Sequence, residues 1–109
     1  MKDLESVQEM IKVECDEIKA LLLEKNMKYG NSALEPKRIF SSSNAVEQLL
    51  VRIDDKLSRI QTVGFDKDGN CLDSDKNSES TSDTIQDLIG YLVLLRVANK
   101  ISVKKNKSW

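Results

Sequence analysis

The sequence predicts an all-α fold, a three-helix protomer that builds a helical bundle by homo-oligomerisation. Three observations lead there. Apolar residues recur at spacings of three and four in three separate segments, which is the period of a helix face. The 109 residues contain one proline and four glycines, whereas a sandwich or barrel needs a turn about every 8–12 residues. The last segment is apolar on nearly every side, the pattern of a helix covered all round. The length is that of a single domain over 1–109.

The first helix is expected over about 4–28, where Leu4, Val7, Ile11, Cys15, Ile18 and Leu22 form one stripe. It should stop at Tyr29-Gly30, because glycine takes the left-handed conformation that closes a helix. A connection with the only proline, Pro36, leads to a second helix over about 44–62. Asn44 and Glu47 make a capping-box-like start, and Val46, Leu49, Leu50, Ile53, Leu57 and Ile60 form the stripe. Asp54 and Lys56 flank opposite edges of that stripe, while Asp55 points away from it between Arg52 and Arg59.

Residues 64–81 are polar and acidic without periodicity, so they read as a loop with a turn at Asp68-Gly69. Asp66, Asp68, Gly69 and Asp75 partly match a calcium loop counted from Gly64. Glycine at the first ligand position and aspartate at the last make a solvated loop the better reading. The third helix is expected from Ser82-Asp83 over about 82–99, with Ile85, Leu88, Ile89, Leu92 and Leu95 as its core stripe. Two other helices in so short a chain can hardly cover it, which predicts a dimer or larger assembly. Residues 103–109 read as a mobile basic tail, more a solubilising end than a nucleic-acid contact.

Composition narrows the chemistry. There is no histidine, so Ser-His-Asp and Cys-His mechanisms are excluded along with the commonest transition-metal ligand. The 17 basic and 18 acidic side chains leave a charge of -1 and no global field to attract nucleic acid. Cys15 and Cys71 lack metal-ligand spacing and read as free thiols. No apolar run reaches the roughly 18 residues of a membrane span, and the first residues lack a signal-peptide core. The expected location is the cytoplasm.

Three groups of residues could carry chemistry. Lys25, Asn26, Tyr29, Gly30 and Ser32, continuing into Pro36, Arg38 and Phe40, supply ring faces for a base, hydroxyl and amide donors, and a guanidinium for phosphate. A lysine-rich helix end is otherwise ordinary, since cations favour the C-terminal dipole. In the second group, Arg52 through Arg59, pairs such as Asp55 with Arg59 are common surface contacts, but Asp54 and Lys56 border the core stripe. The third is Asp83 and Asp87, one turn apart. Asp83 at a helix start is explained by capping, whereas like charges at that spacing repel and invite a cation or basic partner between them. Magnesium held by Asp54, Asp83 and Asp87 is the metal site these positions allow.

The elements Lys25-Asn26…Tyr29-Gly30-Asn31-Ser32, Arg52-Ile-Asp-Asp-Lys-Leu57 and Asp83-Thr-Ile-Gln-Asp-Leu-Ile-Gly-Tyr91 resemble a phage and prophage family, nucleotide-modification-associated domain one. The resemblance covers roughly residues 8 to 98 apart from the acidic loop. That family is similar to the MazG-like all-α nucleoside triphosphate pyrophosphohydrolases. The resemblance implies a phage origin, a helical oligomer and a nucleotide held between helices. It also implies magnesium on a Glu-x-x-Glu pair and a later Glu-x-x-Asp pair. Here the later pair reads Thr84-x-x-Asp87, with Asp83 as a substitute, and Asp54-Asp55 stands in helix two where the earlier pair belongs. Glu14 and Glu17 have the earlier pair's spacing but lie in the first helix.

Two functions follow as expectations. In the first, an oligomer in the host cytoplasm captures a nucleotide, such as a host immune signal, without cleaving it. Lys25, Asn26, Tyr29, Gly30, Ser32, Arg38, Arg52 and Lys56 would supply the contacts in this anti-defence role. In the second, magnesium on Asp54, Asp83 and Asp87 activates water to release pyrophosphate from a nucleoside triphosphate.

Overall fold

The computed structural model describes residues 3–35, 40, 43–62, 64–68 and 80–107, with residues 103–107 described by backbone alone. It is all-α: α1 spans Leu4–Tyr29, α2 Ala45–Thr62 and α3 Thr81–Lys107. Among the described residues there is no strand, only single bridge residues at Phe65 and Ser80. No helix among them is long and apolar enough to cross a membrane. The chain divides into two units, residues 1–32 with α1 and residues 33–109 with α2 and α3.

In the first unit, α1 runs 26 residues because nothing from Leu4 to Tyr29 breaks it. Asp3 caps its start, its carboxylate accepting the Ser6 N–H at 2.7 Å. At the other end Gly30 has φ 64° and ψ -150°, a combination open in practice only to glycine. The Asn26 amide closes that end by donating to the Gly30 carbonyl at 3.2 Å and to the Asn31 side-chain oxygen at 2.9 Å. Of the expected stripe, Ile18 is buried and Leu22 half-buried, while Leu4, Val7, Ile11 and Cys15 are exposed.

The second unit is a helical hairpin. Asn44 caps α2 through the Glu47 N–H at 2.9 Å, as the Asn44…Glu47 pair predicts. Gly64, at φ 63°, follows the end of α2, and a Cβ there would stand 2.7 Å from the Ile60 carbonyl oxygen. The start of α3 lies earlier than expected. Ser80, not Ser82-Asp83, is the cap, its hydroxyl accepting the Asp83 N–H at 3.1 Å. Thr84 donates its hydroxyl back to the Ser80 carbonyl at 3.0 Å. Thr81 donates to the Gly64 carbonyl at 3.2 Å and so ties the beginning of α3 to the end of α2. The helix continues to Lys107 rather than stopping near 99, since no glycine or proline follows Gly90 and lysines suit a C-terminal end.

Two contacts set the register between α2 and α3. Lys56 pairs with Asp87, and one turn away Arg52 lies over Tyr91. Four residues down α2 match four residues up α3, so the helices are antiparallel. In this register Gly90 stands opposite Ile53, and both are buried. The rest of the hairpin core is Leu49, Thr81, Thr84 and Ala98.

The expected core stripe of α3 is corrected here. Ile85, Leu88 and Leu95 are only half-buried, and Ile89 and Leu92 are 41% and 44% exposed. The row turned to α2 is Thr84, Asp87, Tyr91, Leu94 and Ala98, the expected stripe displaced by one residue and hence by about 100°. Polar anchoring explains the rotation, because the Lys56–Asp87 pair and the Thr81 hydrogen bond to the Gly64 carbonyl require this face.

Candidate functional site

The predicted nucleotide-contacting residues fall in two places. Lys25, Asn26, Tyr29, Gly30 and Ser32 form the exposed C-terminal end of α1. Asn26 and Gly30 are engaged in closing the helix, which gives the Lys-Asn…Tyr-Gly element a structural purpose of its own. The Lys28 ammonium sits 5.4 Å from the centroid of the Tyr29 ring, whose residue is 61% exposed. Phe40 is fully exposed, and Arg38 lies outside the described residues.

The second place is the hairpin, where helical spacing makes a compact quartet. Lys56 Nζ is 3.4 Å from Asp87 Oδ2, with the two side chains 12% and 23% exposed. A pair this sheltered is screened less than a surface pair, so it fixes register as well as charge. The Arg52 guanidinium carbon lies 5.8 Å from the Tyr91 ring centroid. A guanidinium over a ring keeps its N–H edge available for a phosphate or carboxylate. Tyr91 belongs to the Asp-Leu-Ile-Gly-Tyr element but was not among the residues predicted to touch a ligand. Its spacing from Asp87, matching that of Arg52 from Lys56, was the signal.

The carboxylates are dispersed among other partners. Asp87 faces Lys56, which answers the need for a cation beside Asp83 and Asp87 with a side chain of the protein. Asp83 is the third residue of α3, in the first turn, where a negative charge complements the helix dipole. Asp54 is exposed and, two residues before Lys56, lies about 160° around α2 from it, turned away from α3. Asp55 pairs with Arg59 at 3.3 Å as the four-residue spacing predicts. Among the described residues no three Cys, Asp or Glu side chains gather into a group that could hold a metal ion. Asp54, Asp83 and Asp87 of one protomer are thus not brought together into one group. In the acidic loop Asp66 accepts the Asp68 N–H at 2.9 Å, a local turn, while Gly69, Cys71 and Asp75 lie outside the described residues.

No protein-family model matches the chain, and no curated protein or solved structure is significantly similar to it.

Proposed function

We propose that the chain is a cytoplasmic nucleotide-binding protein that captures its ligand, within a homo-oligomer, and holds it without cleavage. One observation carries the reading: Arg52 over Tyr91 and Lys56 beside Asp87 put two cations and an aromatic ring within one turn of each other on the hairpin. A ring and a guanidinium suit the flat base and the phosphate of a nucleotide. Lys25, Tyr29 and Ser32 on the α1 end are a separate candidate group in the first unit, and Arg38 lies outside the described residues. Holding without cleavage is favoured because Asp87 and Asp55 are paired with cations and, among the described residues, no three carboxylates converge on one point.

The test is a thermal-shift panel of mono-, di- and triphosphate and cyclic nucleotides, with and without magnesium. At least one nucleotide should stabilise the protein, and Arg52→Ala and Tyr91→Ala should each reduce that shift severalfold. The ligand should be recovered intact after heating. Pyrophosphate release that requires magnesium and is abolished by Asp87→Ala would replace capture with hydrolysis. No stabilisation by any nucleotide would end the nucleotide reading.

A further inference from the structure

The antiparallel register also shows where α3 outlasts its partner. With Lys56 opposite Asp87, Ala45 at the start of α2 stands opposite Ala98, so residues 99–107 of α3 have no counterpart in α2. That is roughly 13 Å of helix. Its charge is of one sign. No Asp or Glu follows Asp87 in the sequence, whereas Arg96, Lys100, Lys104, Lys105 and Lys107 do. At about 100° per residue, positions 96, 100, 104 and 107 fall within about 80° of one another, on the side of α3 opposite the Thr84–Ala98 row. Arg96 and Lys100 are exposed. The basic end that reads from sequence as a tail is thus, as helix, a straight row of basic positions about 16 Å long.

We infer that this row binds the phosphate backbone of a nucleic acid. In α1 and α2, Lys12 and Arg59 each face an acid three or four residues away, Glu9 and Asp55. No residue of the row has an acid at that spacing, and like charges four apart on a helix repel. Attraction to the helix dipole accounts for lysines in the last turn, but it fades within that turn and leaves Arg96 and Lys100 unexplained. A polyanion relieves the repulsion along the whole row. The surroundings select the kind of polyanion. Residues 96–107 contain no leucine and no aromatic residue, and the side opposite the row holds Ala98, Ser102 and Lys105, so no large apolar face is there to sink into a membrane. A protein partner is anchored by Tyr, Trp and Arg in an interface poor in Lys, the reverse of this composition. Cations that contact phosphates need neither groove nor anchor, because each gains by displacing condensed counterions. The net charge of -1 conceals this separation of charge along the chain. The inference uses none of the residues assigned to the nucleotide and is independent of that reading.

Fluorescence anisotropy of a labelled DNA duplex with the full chain tests it between about 50 and 200 mM salt. The expected dissociation constant at physiological salt is about 10⁻⁴–10⁻⁶ M. Log affinity should fall against log salt with a slope of about -3.6, or about -0.9 for each cation of the four-residue row. Arg96→Gln with Lys100→Gln should weaken binding severalfold and reduce the slope by about 2, with unchanged helical circular dichroism. Lys12→Gln with Arg59→Gln removes the same charge from α1 and α2 and should leave affinity and slope as they are. An absent complex, a slope that the Arg96 and Lys100 variant does not change, or equal losses in the two double variants would overturn the inference. Tighter binding of polyglutamate or of phosphatidylserine vesicles than of the duplex would assign the row to an acidic protein or a membrane, and would overturn it as well.

Discussion

Asp3 shows how much one side chain can determine locally. The Ser6 N–H, followed by the Ser6 hydroxyl, holds its carboxyl below the usual carboxylate value of 3.8. A depressed value means that the contribution to α1 is present above the unfolded pKa and is lost as pH falls through the folded one. The Ser6 amide resonance should therefore move in the acid range, and Asp3→Asn should retain the cap while removing that titration. Gly64 tests backbone geometry instead. Its φ of 63° and the 2.7 Å approach to the Ile60 carbonyl make Gly64→Ala destabilising by about 1–3 kcal/mol in urea unfolding. The Lys56–Asp87 pair tests buried charge. Either truncation leaves a sheltered charge alone, so Lys56→Met or Asp87→Ala should each cost about 1–3 kcal/mol. Lys56→Met with Asp87→Leu should cost less than the sum, and a double-mutant cycle measures the difference.

At the scale of elements, the caps are where sequence and structure can be compared most closely. Asn44…Glu47 and Gly30 mark their helix ends from sequence, Asn44 being singled out from Ser41, Ser42 and Ser43 before it by the apolar stripe that starts at Val46 and by Glu47 three residues on. The start of α3 is harder to read, since Ser78, Ser80 and Ser82 are all competent caps and only the structure selects Ser80. Ser80→Ala should cost about 1 kcal/mol of hairpin stability by thermal unfolding, and Ser82→Ala close to nothing. Periodicity likewise reveals that α3 is a helix but misassigns its inner face by one residue. A hydrophobic stripe records which side avoids water in the whole assembly. The side that meets α2 is chosen by polar anchors, Lys56 with Asp87 and Thr81 with Gly64, and those require knowledge of who stands opposite. The same argument applies to Asp87. In sequence it resembles half of a repelling pair that wants a metal, and the lysine that relieves it lies 31 positions away in another helix.

For the molecule as a whole, composition alone excluded histidine chemistry, no described helix is long and apolar enough to cross a membrane, and the helical class followed from spacing. The candidate site was legible in part: Arg52 and Lys56 are visible as charges beside a core stripe, but Tyr91 becomes part of the group only through the antiparallel register. The central proposal is that this register offers a surface for a nucleotide, with no metal-holding carboxylate group for cleaving one among the described residues. Mass spectrometry of small molecules released by heat from protein purified out of cells tests it most directly. The account predicts an intact nucleotide in the wild type, much depleted in Arg52→Ala and Tyr91→Ala proteins of unchanged helicity. Recovery of only cleaved products, or of equal nucleotide from the wild type and both variants, would contradict it.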